Sequence, residues 1–367
     1  MKVCLAHVPL SVIDNHSREY MIATDGKEMK PESREREGKL HVELERHKEH
    51  GLLAVTGRPS SEVIGWLLEG DAAVVWQVQR DILNRAESTW SRTRRRVARE
   101  GWGARLLAHR AEDGRWGGGL YQPKWTSTFY TLRLLTQLGL PPSHRAAQSS
   151  CRLLLDEGVT KSGGVSLWSS GQTDTCVTAM LLSMACYFGI ADDERCDRML
   201  SWLLSEQMDD GGWNCARERG ARHSSFHTTI SSLEGFHAFE STRGHDATIR
   251  RAADRGRDYF LRHRLYRSER TGKVVRSSFT KISFPPRWFF DVLRGLEHFI
   301  AIDAPWDDRL SDAVNVLISA RTKDGRWRAQ NWHSGKEYFR IEGGREPSRM
   351  NTLRALRVLC WVDARRG

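Results

Sequence analysis

Arg198-Met199-Leu200-Ser201-Trp202-Leu203-Leu204-Ser205-Glu206-Gln207-Met208-Asp209-Asp210-Gly211-Gly212-Trp213 is the stretch whose reading decides the fold. Its apolar residues recur at helical spacing up to Glu206. An Asp-Gly turn then stops the helix, because Gly takes the positive φ that a helix C-terminus uses. The tryptophan that follows is placed to fold back onto the helix end. Glu112-Asp113-Gly114-Arg115-Trp116 and Lys323-Asp324-Gly325-Arg326-Trp327 repeat this signature. Lys161-Ser162-Gly163-Gly164, with Trp168 four residues on, is a weaker copy.

Working outward, helical periodicity recurs over 76–83, 95–107, 128–138, 146–155, 177–188, 194–206, 228–239, 247–261, 288–302, 310–319 and 350–361. Ser60-Ser61-Glu62-Val63 is an N-cap signal for an earlier helix. Gly, Pro and Asp fill the connections, and no period-two blocks alternate with the helices. The fold class is therefore all-α. Helix pairs recurring every 40–60 residues build either an open solenoid or a closed ring, and closure removes the exposed ends. The 14 tryptophans of the 367-residue chain are partly explained, since an indole needs packing and a partner for its N–H.

Residues 1–58 lack sustained periodicity and hold ten basic and ten acidic side chains, which predicts a disordered N-terminal extension ahead of one domain over 59–367. The net charge of +11 thus lies beyond residue 58, concentrated at Arg92-Thr93-Arg94-Arg95-Arg96, over 243–287 and over 345–366. No zinc-finger spacing, aromatic RNA-binding motif or helix-turn-helix accompanies it, so no nucleic-acid partner is expected. No apolar run is long enough to span a bilayer, which leaves only peripheral membrane contact open. Seven scattered cysteines and no secretory leader predict reduced thiols or metal ligands in a cytoplasmic protein.

The turns resemble the QW repeats of the terpenoid cyclase and protein prenyltransferase β-subunit superfamily, and the chain is similar to bacterial proteins with prenyltransferase/squalene oxidase repeats. The resemblance covers about residues 60–367 and implies an α/α toroid.

Two helix starts then matter. Gly171-Gln172-Thr173-Asp174-Thr175-Cys176 offers a carboxylate and a thiol two apart, both suitable zinc donors. A helix N-terminus favours the thiolate. His223-Ser224-Ser225-Phe226-His227-Thr228 opens a later helix. The pattern resembles the zinc triad of prenyltransferase β-subunits, which implies Asp174, Cys176 and His227 as ligands. Cys215, just after the Gly-Gly-Trp turn, is a candidate fourth ligand, and His223 competes with it. Taken singly, Asp174 reads as an N-cap, Cys176 as a small core residue and His227 as a satisfied polar group.

The family's chemical signatures are incomplete. The positions three and six before the zinc Asp, basic in the prenyltransferases, are Gly171 and Trp168, and the Tyr after the Cys is Val177. This argues against a protein prenyltransferase with an α-subunit partner. Thr173 stands where type II cyclases carry their proton donor, and no Asp-Asp-x-x-Asp motif occurs. Glu234, seven residues after His227, and His223 are the acid/base candidates. Trp125, Tyr130 and Trp288 are expected to line a substrate cavity, with Arg349 as an anion-binding side chain.

The expectation is a zinc-dependent, prenyltransferase- or terpene-cyclase-like enzyme with a lipophilic or anionic, isoprenoid-like small-molecule substrate. The alternatives are a metal-free cyclase with Asp174 as its acid, and a non-catalytic toroid with a structural zinc.

Overall fold

The computed structural model describes residues 58–168 and 171–366; the predicted extension lies outside them except for Arg58. The described residues form thirteen α-helices and no strand, only isolated bridges. In chain order they are α1 (Ser61–Leu68), α2 (Ala72–Asp81), α3 (Glu87–Arg96), α4 (Gly101–Leu107), α5 (Thr128–Leu138), α6 (Arg145–Gly158), α7 (Thr175–Tyr187), α8 (Glu194–Ser205), α9 (Phe226–Arg243), α10 (Ala247–Arg262), α11 (Val292–Ala301), α12 (Ser311–Ser319) and α13 (Arg349–Arg366). The all-α expectation holds.

Several boundaries differ from the periodicity, two of them for a reason visible in the hydrogen bonds. The single helix expected over 95–107 is two, because Gly101 adopts φ +63° and lets the Asp71 carboxylate accept from Trp102 N. The helix expected from Trp288 begins at Val292, where Asp291 accepts from Arg294 N as the N-cap.

The repeat turns are built alike to the atom. Trp116, Trp213 and Trp327 are fully buried. Each indole N–H donates to the carbonyl ten residues earlier: Leu106 at 2.8 Å, Leu203 at 2.7 Å and Leu317 at 2.8 Å. Each tryptophan's backbone N–H donates to a threonine hydroxyl near the start of a later helix, Thr128, Thr229 and Thr352 respectively. One residue thereby ties the end of one helix to the start of another. The turn glycines Gly114, Gly211 and Gly325 have φ of +87°, +98° and +77°. The fourth turn keeps the glycine (Gly163, φ +97°) and the threonine (Thr178), but Val165 takes the tryptophan's place and donates to Thr178 at 2.8 Å. Trp168 is not its lock.

Helix packing returns to its starting point. α5 packs on α7, α7 on α9, α9 on α11, α11 on α13, and α13 on α2. The Trp76 indole of α2 donates to the Leu138 carbonyl at the end of α5, completing the circuit. Arginine–carboxylate contacts tie these helices together. Arg133 (α5) and Arg294 (α11) both bind Glu234 (α9), Arg354 (α13) binds Glu297 (α11), and Arg357 (α13) binds Asp81 (α2). Losing one partner of such a pair costs about 3–5 kcal/mol, because the other is left buried and uncompensated.

Candidate metal centre

The repeat turns carry the site residues to one place. After the unlocked fourth turn, Asp174 N donates to the Val165 carbonyl at 3.0 Å, fixing where α7 begins. Asp174 occupies the N-cap position, yet its carboxylate caps no backbone N–H. It turns inward and is 6% exposed. Cys176 lies in the first turn of α7. Cys215 arrives two residues after the locked Trp213, its backbone and thiol both 3.4 Å from the Thr228 hydroxyl on α9. The Cys176 N–H donates to Cys215 Sγ at 3.2 Å, and the Cys176 thiol donates to Asp174 Oδ1 at 3.6 Å.

Asp174, Cys176 and Cys215 thus present one oxygen and two sulfurs within 4.8 Å of one another, all buried. Ligands on a tetrahedral zinc with bonds of about 2.0–2.3 Å lie roughly 3.5–3.8 Å apart. The group can close around an ion with small side-chain movements, and its oxygen and sulfur donors suit zinc.

Its electrostatics in the metal-free state run against the helix-terminus expectation. The hydrogen-bonding Cys215 thiol, burial and the Asp174 carboxylate together push the Cys176 thiol well up, despite its place at the start of α7. Burial pushes Asp174 up as well, against hydrogen bonds from Cys215 and Cys176 and the charge of Arg219. Both shifts favour the protonated forms, so a metal ion would compete with protons for these side chains.

His227, expected as a ligand, stands apart from this group. Its Nδ1 accepts from the Phe290 backbone N–H at 2.8 Å. Burial, reinforced by Arg276 and Arg294, holds the ring at about 3, so it is neutral at physiological pH. A neutral imidazole that accepts at Nδ1 carries its proton on Nε2. A metal-bound histidine needs the reverse, one nitrogen's lone pair on the metal and the other donating. His227 is instead an aromatic wall, edge-on to Trp288, Phe279 and Phe289 at centroid distances of 5.1, 5.4 and 5.8 Å. His223 is exposed; its carbonyl accepts from the Asn214 side chain at 2.8 Å.

Glu234 does not have the environment of an acid or base. Burial would raise it, but Arg294 and Arg133 outweigh that and hold it at about 2. Arg294 grips it with two hydrogen bonds of 2.7 Å, and it remains a carboxylate.

Three of the four cavity candidates gather in one aromatic cluster. Trp125 meets Tyr130 edge-on at 4.7 Å, and Trp288 stacks on Phe289 at 3.8 Å. Trp125 and Phe289 are 6.2 Å apart. Tyr130 donates its hydroxyl proton to Tyr121 Oη at 2.7 Å, and Tyr121 meets Trp168 edge-on at 4.6 Å. Arg349 is elsewhere: its guanidinium lies over Trp66 at 4.6 Å and donates to the Trp66 carbonyl.

Sequence reasoning missed the segment that covers this cluster. The connection from α12 to α13 crosses Trp125, whose indole donates to the His333 and Ser334 carbonyls, and whose backbone N–H donates to Lys336 O at 2.8 Å. His333 stacks on Phe289 at 3.8 Å, and Glu337 accepts from Arg287 at 2.8 Å. No periodicity marks this stretch; its aromatic and histidine content in a Gly-containing loop was the one available signal.

No family model matches the chain, and no curated protein matches it. Among solved structures it is similar to a protein from Actinoplanes, at 16% identity over 80% of this chain and 90% of that one, with a TM-score of 0.42. It is also similar to the type II terpene cyclase MstE from Scytonema in its apo form, at 12% identity over 74% and 98% of the two chains, TM-score 0.32. A variant of that cyclase in complex with geranylgeranyl dihydroxybenzoate, its substrate, gives 13% identity over 73% and 96%, TM-score 0.32. These are distant likenesses in fold.

Proposed function

We propose that residues 59–367 form an α/α-toroid enzyme with a zinc centre made by Asp174, Cys176 and Cys215, acting on a lipophilic, isoprenoid-like substrate against the Trp125–Tyr130–Trp288–Phe289 cluster. The observation that carries the reading is the convergence of one carboxylate and two thiols in a buried group whose carboxylate caps no helix N–H. Three protein ligands leave a fourth position, the arrangement of catalytic rather than closed structural zinc sites. When bound, zinc supplies Lewis-acid polarisation of a substrate oxygen, or a thiolate or hydroxide nucleophile at neutral pH.

The chain's own residues supply the rest. Thr228 sits by the Cys215 sulfur and orients that side chain. The aromatic cluster packs an apolar substrate and excludes water. Glu234 acts at a distance, by holding Arg133 and Arg294 and so tying α5 and α11 to α9. The reading includes a reducing, cytoplasmic setting that keeps the thiols available.

Metal analysis of the purified protein tests it. About one equivalent of zinc is expected, lost in Cys176→Ala and Cys215→Ala and retained in His227→Ala. Less than half an equivalent in the wild type, unchanged by Cys176→Ala, overturns it.

The inward turn of Asp174, with burial raising its carboxyl, favours one second reading, a metal-free cyclase in which this group protonates an alkene. Turnover of a linear polyprene in the presence of chelator, abolished by Asp174→Asn, distinguishes it.

A further inference from the structure

Helix α3 carries two complementary stripes. Trp90, Thr93, Arg94 and Val97 face the protein body at i, i+3, i+4, i+7 spacing. Trp90 lies 6.2 Å from Trp76, Thr93 and Val97 are buried, and Arg94 donates to the Gly139 carbonyl and the Tyr187 hydroxyl. The opposite stripe, Arg92, Arg95 and Arg96, is continued by Arg99 in the turn after the helix end, and all four residues are exposed. Arg96 pairs with Glu100 at 2.7 Å. Among the described residues, no carboxylate pairs with Arg92, Arg95 or Arg99. The face therefore presents four guanidinium groups against one carboxylate over the last turn of α3 and the turn that follows it.

Two arginines on α10 are treated differently, while Arg250 and Arg251 there are exposed without a carboxylate partner among the described residues and so serve as the control. Arg257 pairs with Asp254, and Arg262 with Asp258 and Glu269, so charges of both signs share that surface. Like charges at i, i+3 and i, i+4 repel and cost helix stability. An undiluted arginine stripe is a cost with no folding return, since the inner stripe alone holds α3 in place.

We infer that the α3 face docks the protein on an anionic lipid surface. The helix lies lengthwise on the body, so all four side chains can reach one plane of phosphate groups together. Its outward positions carry no aromatic ring for stacking on bases, which separates it from a single-stranded nucleic-acid platform. Nor do they carry an apolar residue, so the contact is electrostatic adsorption without insertion. The choice of lipid rests on the proposed lipophilic substrate, which would be dissolved in the bilayer.

Co-sedimentation of the full chain with vesicles tests the inference, and zinc content measured on the same samples keeps it separable from the metal reading. Binding is expected to vesicles of phosphatidylcholine containing about one third phosphatidylglycerol, weakening as salt rises, and not to phosphatidylcholine alone. Each arginine near such a surface is worth about a fivefold gain in binding, so Arg92→Gln/Arg95→Gln/Arg99→Gln should lose roughly a hundredfold. Glutamine keeps the helix propensity, and circular dichroism should be unchanged. A control, Arg250→Gln/Arg251→Gln on α10, should keep its binding. No binding to the anionic vesicles, equal loss in the control, or tighter binding to a DNA duplex at the same salt overturns the proposal.

Discussion

The turn at Trp213 and the turn at Val165 have the same backbone and opposite uses. Both place a glycine at positive φ and donate a backbone N–H to a threonine of the following helix. At Trp213 the indole also clamps the preceding helix through Leu203 O. At Val165 no indole clamps; Ser166 N donates to the Gly158 carbonyl at the helix end at 2.9 Å instead, and the chain runs by way of Trp168 to an inward-turned Asp174. The locked turn fixes where Cys215 emerges; the unlocked turn leaves room for the carboxylate it must meet. A side-chain clamp on one side and a backbone clamp on the other is how this repeat fold makes room for a site without adding a domain.

The largest way to break this contrast is Trp213→Ala. Removing a fully buried Trp costs about 3–5 kcal/mol and leaves the Leu203 carbonyl without its indole donor. Chemical denaturation should show that loss, and zinc should fall with it because Cys215 is displaced. Next comes Val165→Trp, which restores the repeat consensus. Gly158 and Leu167 crowd this region, with Leu167 Cδ2 2.6 Å from where a Cβ on Gly158 would sit. Overpacking should destabilise by about 1–3 kcal/mol and reduce zinc occupancy. Were the fourth turn only a degenerate copy, this variant would be stabilised instead.

Threonine locks give a smaller and more even effect. Thr229→Val strips the acceptor from Trp213 N, and Thr178→Val strips it from Val165 N. Each should cost about 1–3 kcal/mol by denaturation, but only Thr178→Val, one helical turn from Asp174, should also alter metal binding.

The pH dependence is the gentlest probe. Burial, with Arg257 nearby, holds His298 at about 3, below its unfolded value near 6.5. A depressed histidine gives full stability above pH 6.5, lost as pH falls toward 3, at about 1.4 kcal/mol per pH unit. Glu234, at about 2 against 4.5, adds a second loss from pH 4.5 downward. Denaturation midpoints should decline from pH 6.5 and steepen below 4.5, and His298→Asn should lessen the slope between pH 6.5 and 3, where the similarly depressed His227 contributes as well.

How much was legible follows from the range of each interaction. The Asp-Gly-x-Trp turns and the Asp174–Cys176 pair are local, set within a few residues, and the sequence shows them directly. Cys215 is visible because it follows such a turn. His227 stands apart from the three grouped side chains, and what occupies its Nδ1 is Phe290 N, 63 positions on. Glu234 is misread because its arginines come from α5 and α11, 101 and 60 positions away. Arg349 is drawn off by Trp66 across the closure of the helix circuit, a contact no local pattern encodes.

Zinc-edge X-ray absorption on the purified protein, with the Cys215→Ala and His227→Ala variants beside it, tests the central claim most directly. The account predicts two sulfur ligands at about 2.3 Å in the wild type and in His227→Ala, and one in Cys215→Ala. A single sulfur in the wild type that Cys215→Ala leaves unchanged, with a ligand lost in His227→Ala, would contradict it.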